Sequence, residues 1–188
     1  MGRIILGLLV SLLVVSAWSS KANALDLMAM ANPDIPRQEA KVMTFISPEE
    51  VQALGWMPIE AIAGFLVGAP TTTETFRPNP RFIEFMHQVI RTSAPFDPDL
   101  RAAAREQRNG WVYIIDLRTP EGPQGQVPAE DIIGAFQVRN GEIIPDSYEA
   151  NDRHHVFSTR GLVSLPPSLR AAFFARLPKV PPSKGDAK

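Results

Sequence analysis

Eighteen prolines punctuate this chain of 188 residues, and after Pro33 the longest stretch without one runs from Asp99 to Thr119. Each proline fixes φ and removes a backbone donor, so it stops a helix or is confined to the edge or end of a strand. A chain interrupted this often, at nearly twice the usual ~5%, has to be assembled from short elements joined by stiff loops.

The N-terminus carries a second strong constraint. Arg3 supplies a positive charge, the apolar run from Ile4 to Trp18 follows, and Ala22-Asn23-Ala24 ends the segment. Charge, apolar core and A-x-A in that order form the secretory leader pattern, and the run is short for a membrane span. Residues 1–24 are therefore predicted to be a signal peptide, with an uncleaved anchor as the alternative. The exported chain is expected in the periplasm or outside the cell, with no transmembrane segment once the leader is gone. Loss of Arg3 and Lys21 takes the formal charge from −1 to −3, so no clustered basic surface argues for nucleic acid. With no cysteine in the chain, disulfides and thiol chemistry are excluded and the core alone must hold the fold.

Local signals place several elements. Residues 25–41 read as an extended lead-in, and 43–46 as a short strand. Ser47, Pro48 and Glu50 form a helix start with a capping box, and Gly55 offers a left-handed stop. The apolar stretch 57–70 is predicted to be a second helix, buried all round. After a polar loop at 71–80, Asn79 caps and Pro80 begins a helix whose Phe82, Phe85, Met86, Val89 and Ile90 share one face. Asp97 and Pro98 start another. From Trp111 to Arg118 the composition turns β-branched and aromatic, which predicts a buried strand. Asn140-Gly141 between two apolar runs specifies a type I′ hairpin, with Val138 opposite Ile143 and Arg139 opposite Glu142. Residues 153–159 read as a further strand, and Leu169, Phe173 and Leu177 mark one face of a closing helix. No internal repeat stands out.

Helices thus dominate the first half, and strands plus one helix the second. This predicts an α+β fold, with a small antiparallel sheet in the C-terminal half covered by helices mainly from the N-terminal half. Residues 42–178 form a single globular domain on this reading, and 179–188 a disordered tail.

Chemistry is sparse. There is no nucleophile elbow, helix-borne H-E-x-x-H pair, Walker loop or G-x-G-x-x-G turn, and no cofactor is expected. Three residues remain as catalytic candidates. Asp116 shares a strand face with Val112, Ile114 and Arg118, which makes acid/base use conceivable and makes Arg118 a ready ion-pair partner. His154 and His155 stand side by side, but on an extended chain they point to opposite faces and do not converge on one ion. Asp152 beside His154 still leaves a zinc site incomplete, so no metal site is expected and the pair reads as solvent-facing residues near a strand end. His87, on the Phe/Met helix, is expected to border the core. Arg153 and Arg160 open a run of cations, with Arg170, Arg176, Lys179 and Lys184, that contains no acid; it is a candidate patch for an anionic partner.

The expected function is that of a non-enzymatic binding or interaction module of the cell envelope, with an envelope component or a protein as partner. The alternatives are a hydrolase-type enzyme working by carboxylate and histidine, or a carrier of a small apolar ligand against the Phe/Met helix.

Overall fold

The computed structural model describes residues 40–68, 72–118 and 127–178. The predicted signal peptide, most of the lead-in, the loop at 119–126 and the tail at 179–188 lie outside the described residues.

Helix starts follow from their caps. Helix α1, Pro48–Leu54, begins with Ser47 Oγ accepting the Glu50 amide (3.2 Å) while the Glu50 carboxylate accepts the Ser47 amide (2.7 Å). It stops at Gly55, whose φ of 76° suits a residue without Cβ. Helix α2, Pro80–Ser93, is capped by Asn79, whose side chain accepts the Arg81 amide. Helix α3, Pro98–Gln107, is capped by Asp97 through the Leu100 amide. Helix α4, Pro167–Arg176, closes the described fold. Among the described residues, no helix is long and apolar enough to cross a membrane.

The strands form small antiparallel sheets, so the fold is α+β. In the first sheet β2, Ile62–Val67, lies between β1, Ala40–Thr44, and β3, Phe76–Pro78. In the second, β5, Ile132–Arg139, pairs with β4, Gly110–Ile115, on one side, and with β6, Glu142–Ile143, and β7, Glu149–Ala150, on the other. A separate hairpin joins β8, Phe157–Ser158, to β9, Gly161–Leu162. The β5–β6 turn has φ of 53° at Asn140 and 81° at Gly141, and its register sets Val138 against Ile143 and Arg139 against Glu142. Both features are those the Asn-Gly pair specifies.

The first half differs from the helical expectation. Residues 62–67 are a central strand, not part of a helix, and β3 lies inside the stretch expected to be a loop. An all-apolar run suits a strand buried on both faces as well as it suits a buried helix. Gly64 decides the geometry: a Cβ there would run into the Phe76 ring and the Arg77 carbonyl. The predicted strand at 153–159 is likewise shorter; Asp152 and Arg153 form a turn and pairing begins at Phe157.

The two sheets also repeat one another, contrary to the expectation of no repeat. Pro58-x-Glu60-x-Ile62-x-Gly64 recurs as Pro128-x-Glu130-x-Ile132-x-Gly134, and Phe76-x-x-Asn79-x-Arg81 as Tyr148-x-x-Asn151-x-Arg153. Each first motif makes one 3₁₀ turn after its proline and enters the central strand. Each central strand bulges at the same point, where Met43 opposes Gly64 and Thr44 opposes Ile62, and where Ile114 opposes Gly134 and Ile115 opposes Ile132. Asn79 Nδ2 donates to the carbonyls of Ile59 (2.9 Å) and Ile62 (2.7 Å). Asn151 Nδ2 donates to those of Ala129 (2.6 Å) and Ile132 (2.7 Å).

One core cluster draws on residues from Met43 to Leu177. Phe173 of α4, fully buried, stands at its aromatic centre, with ring centroids 4.8 Å from Phe45, 4.9 Å from Phe85 and 5.6 Å from Phe82. This contact is what fastens α4 to α2 and to the end of β1.

Candidate functional site

Strand β4 ends at Ile115, and the chain turns inward rather than outward. The Asp116 amide donates to the Asp131 carbonyl (2.9 Å) and the Leu117 amide to the Ser164 carbonyl (2.9 Å). These bonds aim the Asp116 side chain into the protein, where the residue has 0% exposure.

Its carboxylate is heavily donated to. Oδ1 accepts the amides of Arg118 (3.1 Å) and Ser164 (2.9 Å). Oδ2 accepts Arg118 Nε (2.9 Å), Arg118 Nη2 (2.6 Å) and His154 Nε2 (3.0 Å). Burial alone would push this carboxyl up; the hydrogen bonds from His154, Arg118 and Ser164 outweigh it and hold the group below the usual carboxylate range. Arg118 spends its remaining donors on the second half of the chain, through the carbonyls of His155, Val156 and Gly161 and the Ser158 hydroxyl. It thereby fastens the β8–β9 hairpin to the end of β4.

His154 is not a surface residue. The turn at Asn151, where Oδ1 accepts the Arg153 amide and the carbonyl accepts the His154 amide, swings its ring inward until 2% of the side chain is exposed. His155 stays exposed, as expected.

A second histidine lies close enough to feel the first. His87 Nδ1 is 2.7 Å from Tyr148 Oη. Burial, with Arg91 and the neighbouring His154 ring opposing a further positive charge, pushes the His87 imidazole down to about 4. Tyr148 packs against Phe136 (5.0 Å) under the Arg91 guanidinium (5.6 Å), and burial pushes its phenol well up. A Cβ at Gly134 would come within 2.6 Å of Tyr148 Oη, so that glycine makes room for the ring.

The cluster therefore unites two of the three catalytic candidates, Asp116 and His154, and leaves out His155. No local motif marks Tyr148 or the contact it makes with His87; the recurrence of Phe76-x-x-Asn79 as Tyr148-x-x-Asn151 is the sequence signal that points to Tyr148. As for the cationic run, Arg153 is exposed, Arg160 is drawn onto the buried Asp131, Arg170 is bidentate on Glu50, and Arg176 reaches Thr92. Lys179 and Lys184 lie outside the described residues.

Chemically, the pair resembles the acid–base half of a hydrolytic triad, which needs an exposed imidazole and a nucleophile beside it. Here both side chains are closed off. Among the described residues, no three of His, Asp and Glu converge to hold a metal. The Phe/Met stripe of α2 is core: Phe82, Met86, Val89 and Ile90 are at most 1% exposed.

Open surface is found elsewhere. A recess of about 360 Å³ lies between α3 and the β5–β6 hairpin, lined among others by Pro95, Phe96, Arg101, Arg105, Glu142 and Pro145. Phe96 is 76% exposed at its edge. Comparison of the chain with protein-family models, with curated proteins and with solved structures returns no match.

Proposed function

We propose that this protein is an exported, non-enzymatic binding module of the cell envelope, and that it meets a protein partner at the recess beside Phe96. The observation that carries this reading is Phe96 itself, a large aromatic side chain left 76% exposed beside Arg101 and Arg105. Aromatic and arginine side chains are the types that dominate binding energy when an interface closes over them. Pro95, Pro145 and the tight Asn140-Gly141 turn stiffen the walls, so little order has to be gained on binding. Export rests on the charge, apolar run and A-x-A of residues 1–24.

The test is a photo-crosslinking residue at position 96 in the native host, with position 106 on exposed α3 surface as control. A discrete adduct at 96, absent at 106 and lost on Arg105→Glu, is the expected result. Equal labelling at both positions overturns the reading.

The 3.0 Å contact of His154 with Asp116 favours a second reading, a carboxylate/histidine hydrolase. Against it, Asp116 is saturated with donors and His154 is enclosed. Turnover of ester, amide or phosphoester substrates that disappears in His154→Gln would establish it.

A further inference from the structure

The two halves of the chain answer the same packing problem with different chemistry. Position 45 follows β1 as Asp116 follows β4, since the Phe45 amide donates to Ala61 and the Asp116 amide to Asp131 at equivalent points. Phe82 stands three residues after Asn79, as His154 does after Asn151. In the first half these two positions are in aromatic contact, with Phe45 and Phe82 centroids 5.5 Å apart. In the second half the same two positions hold an aspartate hydrogen-bonded to a histidine. Phe76, against Gly64, is matched by Tyr148, against Gly134. The fold does not require a polar cluster here, because its first half does without one.

We propose that His87, Tyr148, His154 and Asp116 form an acid-sensitive latch, which releases residues 145–158 from α2 while the aromatic first half keeps its fold.

The geometry supplies the parts. Tyr148 stands just before β7 and is pinned on α2 by His87 and, through its ring, by Arg91. His154 anchors the other end of the same segment to Asp116. The charged and titratable groups around the two imidazoles are His87 and Arg91 from α2, Asp116 and Arg118 from the end of β4, and Tyr148 ahead of β7; Glu84 of α2 and His155 are exposed, and Arg160 is engaged with Asp131. Among the described residues one buried carboxylate, Asp116, serves this cluster, and Arg118 already neutralises it. A proton added to His87 therefore creates a half-buried imidazolium beside the Arg91 guanidinium, with no second buried carboxylate in the cluster, among the described residues, to receive it. In the tautomer whose Nδ1 accepts from the Tyr148 hydroxyl, the same proton also takes the lone pair that holds this 2.7 Å contact.

The sign follows from the lowered imidazole. Once residues 145–158 leave α2 and His87 is uncovered, an ordinary imidazole takes a proton from about 6.5 downward, whereas covered His87 resists it to about 4. The latch is closed above that window and is lost as pH falls through it. Pro145 also lines the recess at Phe96, so release would reshape that surface; the latch itself does not rest on any partner binding there.

The experiment is hydrogen exchange with mass spectrometry on the purified chain from residue 25 to 188, between pH 7 and pH 3.5, corrected for intrinsic exchange. Peptides from 145–158 are expected to lose protection about tenfold or more on acidification, ahead of peptides from 40–67. His87→Phe is expected to abolish that early loss. A nuclear magnetic resonance titration of the unmodified protein, which needs no variant to fold, should place His87 near 4. Simultaneous loss in both halves, an unchanged acid response in His87→Phe, or a His87 midpoint near 6.5 each overturns the proposal.

Discussion

Asn79 and Asn151 make the same hydrogen bonds at equivalent points of the chain. Each side-chain amide closes a 3₁₀ turn by donating to two carbonyls, and each backbone amide donates to the bulged residue of the central strand, Ala63 or Ile133. Each Oδ1 then accepts the amide two residues on. One side chain thus fixes turn, bulge and exit direction in each half.

Removing it leaves carbonyls without donors. Because Asn79 is fully buried, Asn79→Ala is expected to cost about 2–4 kcal/mol, each unsatisfied buried group contributing about 1–3. Asn151 is half-buried and water can replace part of the loss, so Asn151→Ala should cost less. Urea denaturation of both variants checks the order, and equal effects would count against the burial argument.

Phe173 joins three aromatic rings at the centre of the core. Truncation to alanine is expected to cost about 3–5 kcal/mol, the range for a buried phenylalanine. The same denaturation experiment measures it. A loss below about 1 kcal/mol would mean that α4 is not fastened to α2 by this contact.

Gly141 sits at positive φ, and a Cβ there would meet the Arg105 backbone at 3.3 Å. Gly141→Val should therefore destabilise by more than about 1 kcal/mol through strain at the turn. Coincident thermal melts of variant and parent would refute it.

Asp116→Asn leaves Arg118 charged with 4% of its side chain exposed. Breaking a buried pair from one side is expected to cost about 3–5 kcal/mol at pH 7. The pH dependence has a definite sign. The folded carboxyl is held below its ordinary range, so its stabilisation is complete above that range and disappears as pH falls through the folded value. The variant should consequently lose less stability than the parent on acidification below pH 4, read from denaturation midpoints at stepped pH.

The features read correctly from sequence share one property: their determinants lie within a few residues of one another. The Ser47–Glu50 box, the Asn79-Pro80 and Asp97-Pro98 starts and the Asn140-Gly141 turn each specify their own geometry through nearby backbone groups. Tertiary structure decided the rest. Residues 62–67 are a strand because β1 and β3 supply ladder partners and because Gly64 admits the Phe76 ring, and neither fact is present in the run itself. Asp116 and His154 looked separate because the contact joins positions far apart in the chain, and His154 looked exposed because the Asn151 turn that buries its ring interrupts the expected strand. The repeat is faint in the sequence for a related reason. What the halves share is a handful of positions that carry backbone geometry, proline, glycine and the clamp asparagine, while the side chains between them were free to become phenylalanines in one half and an aspartate and a histidine in the other.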